Sequence, residues 1–111
     1  MIHSVTTERR QHRRYLVEGK STSCTSAGQF TAELVDVGDG GALLLSRSTS
    51  VTVGEPIEAR FAIAGYPMEV QAKGRVARAD THVIGIAFTE PPPGLDELIL
   101  WLEAGFLSTI L

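Results

Sequence analysis

One cysteine, three scattered histidines and few aromatics narrow what this sequence can do before any motif is considered. A single thiol, Cys24, excludes an internal disulfide and leaves no second thiolate for a metal site. It sits in the stretch Ser-Thr-Ser-Cys-Thr-Ser with no base nearby in sequence to activate it as a nucleophile. His3, His12 and His82 lack the paired spacing of metal ligands, so no metal site is expected. Nowhere do a nucleophile and a base stand at a recognisable spacing, so no catalytic residues are assigned and the chain is read as non-enzymatic. No apolar run approaches the roughly 20 residues that cross a bilayer, and the opening MIHSVTTERRQHRR lacks the apolar core of a signal peptide. A cytoplasmic protein without a membrane span is the expectation.

What is present is ordinary for a globular domain: 43% hydrophobic and 21% charged residues, without the bias that marks disorder. At 111 residues the chain holds one core of useful size. The net charge of −3 argues against a general nucleic-acid binder. The distribution is uneven, because Arg9, Arg10, Arg13, Arg14 and Lys20 supply five of the ten basic residues near the N-terminus. A local anion site is compatible with an acidic whole.

The middle of the chain alternates with the period of two that half-buried strands require. Ile57, Ala59, Phe61 and Ile63 share one face, and Met68, Val70, Ala72, Gly74 and Val76 share another after the turn at Gly65-Tyr66-Pro67. Further strands are expected over about 15–19, 29–35, 42–47 and 82–88, giving six in an antiparallel barrel or sandwich. The Ser/Thr-rich stretches 21–26 and 48–52 read as loops. Pro91-Pro92-Pro93 ends the sheet. Leu95, Leu98, Ile99, Leu102 and Phe106 then follow helical steps, with Asp96 and Glu97 at the positive end of the helix. Leu100 and Trp101 fall off that stripe. Arg78 shares parity with Val70 and Val76, which predicts a barrel mouth or a buried polar partner unless a bulge intervenes.

Two polar segments are not explained by the fold. Glu8-Arg9-Arg10-Gln11-His12-Arg13-Arg14 precedes the first strand, and a guanidinium can both grip a phosphate through its fork of donors and stack on a flat ring. Asp36-Val37-Gly38-Asp39-Gly40-Gly41 reads as a turn whose glycines admit a close ligand, while the Asp36 carboxylate can accept from the donor edge of a guanine.

Together these segments resemble the PilZ domain, a family with RxxxR at the entry to its first strand and a downstream (D/N)xSxxG motif. Arg10 to Arg14 supplies the first motif, with Arg9 as the extra arginine and Tyr15 opening the strand; Asp36 and Gly41 match the second. Gly74-Arg75-Val76-Ala77-Arg78 and Ile84-Gly85-Ile86-Ala87-Phe88 are similar to the later part of such sequences, so the resemblance covers about residues 8–105. It implies a six-stranded antiparallel PilZ-type β-barrel with one C-terminal helix: a flexible basic arm over residues 1–14, then the barrel over 15–111 with its helix at about 94–106. It also implies a bacterial receptor for the second messenger cyclic di-GMP, with Arg9, Arg10, Arg14, Asp36, Gly38 and Gly41 as binding residues. No further cofactor is implied. Little room remains for an output domain, so the bound state would regulate a separate, unidentified effector protein, and the chain would be a monomer or weak dimer.

Gly38 stands where the family motif has serine. A lost neutral hydrogen bond is worth about 0.5 to 1.5 kcal/mol, or roughly threefold to tenfold in affinity. Asp39 adds a negative charge beside a dianionic ligand, screened by salt. Charge-assisted bonds from Arg10 and Arg14, at about 1.5 to 3 kcal/mol each, outweigh the missing hydroxyl. On this reading Gly38→Ser should gain some binding. The alternative is a divergent PilZ domain that binds no nucleotide and acts as a protein–protein adaptor.

Overall fold

The computed structural model describes residues 13–47 and 50–110, with side chains as far as Gly105. Its strands are β1 (Arg14–Thr25), β2 (Gly28–Gly38), β3 (Gly41–Leu45), β4 (Pro56–Ile63), β5 (Val70–Asp80) and β6 (Val83–Phe88). They close into a barrel in the order β1-β2-β3-β6-β5-β4, antiparallel at every junction, and α1 (Leu95–Ile110) follows.

The alternation that predicted β4 and β5 is the alternation that fills the interior. Ile57, Ala59, Phe61 and Ile63 point inward from β4, and Val70, Ala72 and Val76 meet them from β5. Leu34, Val37, Leu44, Ile84 and Ile86 complete the core from β2, β3 and β6. Each such side chain taken from water contributes about 1.5 to 3 kcal/mol before the entropy of ordering is charged against it. Leu95 and Leu98 of α1 are buried in the same cluster, with Ile99 and Leu102 packed against it. This is the predicted stripe; the side chain of its last member, Phe106, lies outside the described residues, and the helix runs past the expected end near 106.

Three expectations are corrected. Residues 21–25 are not a loop and only Ser26 of the stretch lies in the turn: β1 continues through Thr25, pairing with β2 from Gly19 to Thr25 and with β4 from Gly19 to Cys24. Ser21 and Ser23 face inward at 1% exposure and their hydroxyls bond each other at 2.8 Å. A mutually satisfied pair of hydroxyls can occupy a small interior volume that hydropathy assigns to a loop. Second, Asp36 to Gly41 is not one long turn, because β2 extends to Gly38 and only Asp39 and Gly40 separate it from β3. Third, Met68 does not continue the inward face of β5 but stands 65% exposed in the preceding turn. Among the described residues no helix is long and apolar enough to cross a membrane.

Candidate functional site

Irregularities in the strands bring the polar residues onto the outer wall. The β2–β3 ladder slips between Leu34 and Asp36, so Leu34 and Val37 are both buried inward and the intervening carboxylate turns outward. Across the barrel a second slip between Val76 and Arg78 does the same, setting Arg78 beside Gly85 while Ala79 packs on the core. Arg78 is therefore neither in a barrel mouth nor buried. Its side chain is 61% exposed and paired with Asp80.

Between these bulges the outer wall carries almost no side chains. Gly38, Gly41, Gly85, Ala77 and Ala87 form the floor of a groove of about 400 Å³, with Leu43 beside them and Arg13, Arg14 and Arg78 around the edge. Arg14 pairs with Gly38 across the β1–β2 ladder. The Arg13 carbonyl passes so close that a β-carbon on Gly38 would collide with its oxygen, and one on Gly41 would collide with the carbonyl oxygen of Ile86. Both positions demand glycine because backbone crosses where a side chain would stand.

Each arginine at the groove is held by a carboxylate. Arg14 Nη1 donates to Asp36 Oδ1 at 3.0 Å, the carboxylate side chain being 12% exposed. Arg13 Nη1 donates to Glu103 Oε2 of α1 at 2.7 Å, and the Tyr15 hydroxyl donates to the same oxygen at 2.6 Å. The Tyr15 hydrogen bond, with help from the Arg13 guanidinium, holds the Glu103 carboxyl below its ordinary range. The same bond, with desolvation, raises Tyr15.

These shifts set a pH window for the strand–helix contact. Glu103, depressed in the folded state, stabilises above its unfolded value and loses that contribution as pH falls through the folded one; Tyr15, raised, stabilises below its unfolded value and loses it as pH rises through the folded one. Thermal melts of the native chain and Glu103→Gln should therefore differ at neutral pH and converge in acid. A gap that persists below the glutamate range would rule out the ionised contact.

Of the residues predicted from sequence, Arg14, Asp36, Gly38 and Gly41 lie together at or beside this groove. Arg9 and Arg10 lie outside the described residues. Sequence reasoning left Arg13 out, because Arg10 to Arg14 supplied the motif, and set Arg78 at a barrel mouth or on a buried polar partner unless a bulge intervened. The available signal for Arg78 was an arginine at core parity in an otherwise apolar face, which only a bulge reconciles with burial costs. Gly85 and Ala87 carried no polar signal at all.

The PilZ domain family model matches residues 8–104. Among solved structures, the Bacillus subtilis inhibitor of motility MotI/DgrA is similar with a TM-score of 0.75 at 14% identity, over 90% of this chain and 52% of that one. The chain thus spans about half the length of that protein. The PilZ domain of CeSA from a cellulose-synthesizing bacterium matches with a TM-score of 0.62 at 18% identity, covering 85% of this chain and 97% of that chain. An uncharacterised Legionella protein matches at 0.55 and 17% identity, covering 89% and 99% respectively. No curated protein sequence matches significantly. With the family model spanning nearly the whole sequence, and a six-stranded closed barrel followed by one helix, the chain belongs to the PilZ domain family.

Proposed function

We propose that the chain is a non-enzymatic, cytoplasmic cyclic di-GMP receptor that binds the nucleotide in the groove between Arg13, Arg14 and Arg78 and signals to a partner protein. The observation that carries this reading is the combination of three exposed guanidinium groups with a floor of glycine and alanine. A bare floor lets a planar base lie against the wall, and guanidinium groups at its edge supply both phosphate bonds and a stacking face. Arg9 and Arg10 join the ligand from the arm in this reading.

The carboxylates decide how binding proceeds. Exposed ion pairs such as Arg13–Glu103 and Arg78–Asp80 are screened by solvent and hold weakly, whereas a forked guanidinium makes stronger charge-assisted bonds to a phosphate. Exchange of partners from carboxylate to phosphate is therefore downhill. Asp36, the least exposed of the three, keeps Arg14 through Oδ1 and retains Oδ2 for a guanine N–H donor. Release of Glu103 by Arg13 would loosen one tie between β1 and α1, which gives a partner something to recognise.

Calorimetric titration of the native chain with cyclic di-GMP tests the reading directly. A saturable heat is expected. A flat titration at millimolar ligand would reject it in favour of the nucleotide-free adaptor, which the blocked side-chain position at Gly38 favours.

A further inference from the structure

The outer face of α1 takes no part in the groove, yet it is not built like an ordinary solvated helix. At 100° per residue, Leu100, Ala104 and Glu97 fall opposite the buried Leu95, Leu98 and Leu102, with Asp96 and then Glu103 towards one flank and Trp101 on the other. Leu100, on that outward side, is 65% exposed. The helix holds three carboxylates and no basic residue. Trp101 extends the apolar surface to the β4–β5 turn: it is 38% exposed, its ring lies 5.1 Å from that of Tyr66, and the exposed Met68 follows in the same turn.

We infer that this face is a docking surface for a basic amphipathic segment of a partner protein, with Leu100 and Trp101 as apolar anchors and Asp96 and Glu97 as the charged rim. Charge selects among the possible occupants. A second copy packed on a two-fold axis would set these carboxylates against their own equivalents, and an anionic lipid surface would be repelled. A segment carrying Lys or Arg around a leucine stripe satisfies both the rim and the anchors. Nothing in this inference depends on nucleotide binding.

Trp101 is the single tryptophan, so its emission reports on this face alone. The native chain is titrated, without nucleotide, with a tryptophan-free Leu/Lys amphipathic peptide, with a Leu/Glu peptide of equal length, and with anionic phospholipid vesicles. A saturable emission change is expected with the Leu/Lys peptide only, weakening with added salt. Leu100→Asp should weaken it about tenfold or more, as loss of a central anchor does. The double variant Asp96→Lys, Glu97→Lys should lose it. Circular dichroism checks that the variants fold, and Leu100→Ala, with an expected loss of about threefold, replaces Leu100→Asp if that chain does not. Unchanged emission, equal affinity in the Leu100 variant, or equal response to the Leu/Glu peptide or vesicles overturns the inference. So does a concentration-dependent dimer abolished by Leu100→Asp, which would assign the face to a second copy.

Discussion

Replacing Arg14 by alanine is expected to weaken cyclic di-GMP binding by about ten- to a hundredfold in a calorimetric titration against the native chain. Two effects act in the same direction. The first is loss of the charge-assisted bonds that a forked guanidinium makes with a phosphate. The second falls on Asp36, which is 9% exposed and loses the cation now 3.0 Å from its Oδ1. An uncompensated carboxylate beside the groove then opposes the entry of a dianion. The fold itself should survive, because Arg14 is 54% exposed and an ion pair of that kind contributes at most about 1 kcal/mol. Arg14→Lys should fall between the two, since it restores the charge and not the fork. An alanine variant that binds as tightly as the native chain would move the nucleotide elsewhere on the barrel.

Gly38→Ser is expected to lower the melting temperature without tightening cyclic di-GMP binding, the reverse of what motif comparison suggests. Restoring the family's serine ought to restore a hydroxyl donor. Here, however, the new β-carbon would collide with the Arg13 carbonyl oxygen, and that atom is backbone with little room to yield. Pushing β1 off β2 at Arg14 costs about 1 to 3 kcal/mol, as overpacking does, and each kcal/mol lowers the melting temperature of a domain this size by about 4 to 8 °C. It also displaces the two arginines whose placement the groove requires. Gly41→Ala meets the Ile86 carbonyl in the same way and should lower the melting temperature similarly. A Gly38→Ser protein as stable as the native chain that binds more tightly would show that the strand gives way freely.

The strands with strong alternation were legible in the sequence because burial there is carried by apolar side chains at every second position. Ile57 to Ile63 and Leu95 to Leu102 are of this kind. Where burial is carried by something else, legibility stopped. Ser21 and Ser23 are interior because they satisfy each other, and hydropathy has no record of that pairing. Asp36 and Gly38 could be recognised as motif residues, but their place on a strand followed from a bulge that only the β2–β3 register reveals. Arg78 follows the bulge that its parity left open, since one extra residue after Val76 reverses which side of the wall it occupies. Arg13 gained its part through a contact with Glu103, ninety residues away in sequence, which local pattern cannot supply.

Closure of the barrel has a consequence for how such a molecule can be acted upon. Every one of its six strands already has a neighbour on each side, and the positions left open to an incoming chain are stretches that run past a neighbour's end, such as Arg14 to Val17 beyond β4 and Gly28 to Ala32 beyond β3, so no whole strand edge is offered for cross-β stacking or strand donation. Influence from outside must then be exerted on attachments and not on the staves. Those attachments are the start of the first stave and the helix laid over the cask, and a single shared oxygen atom of Glu103 couples them.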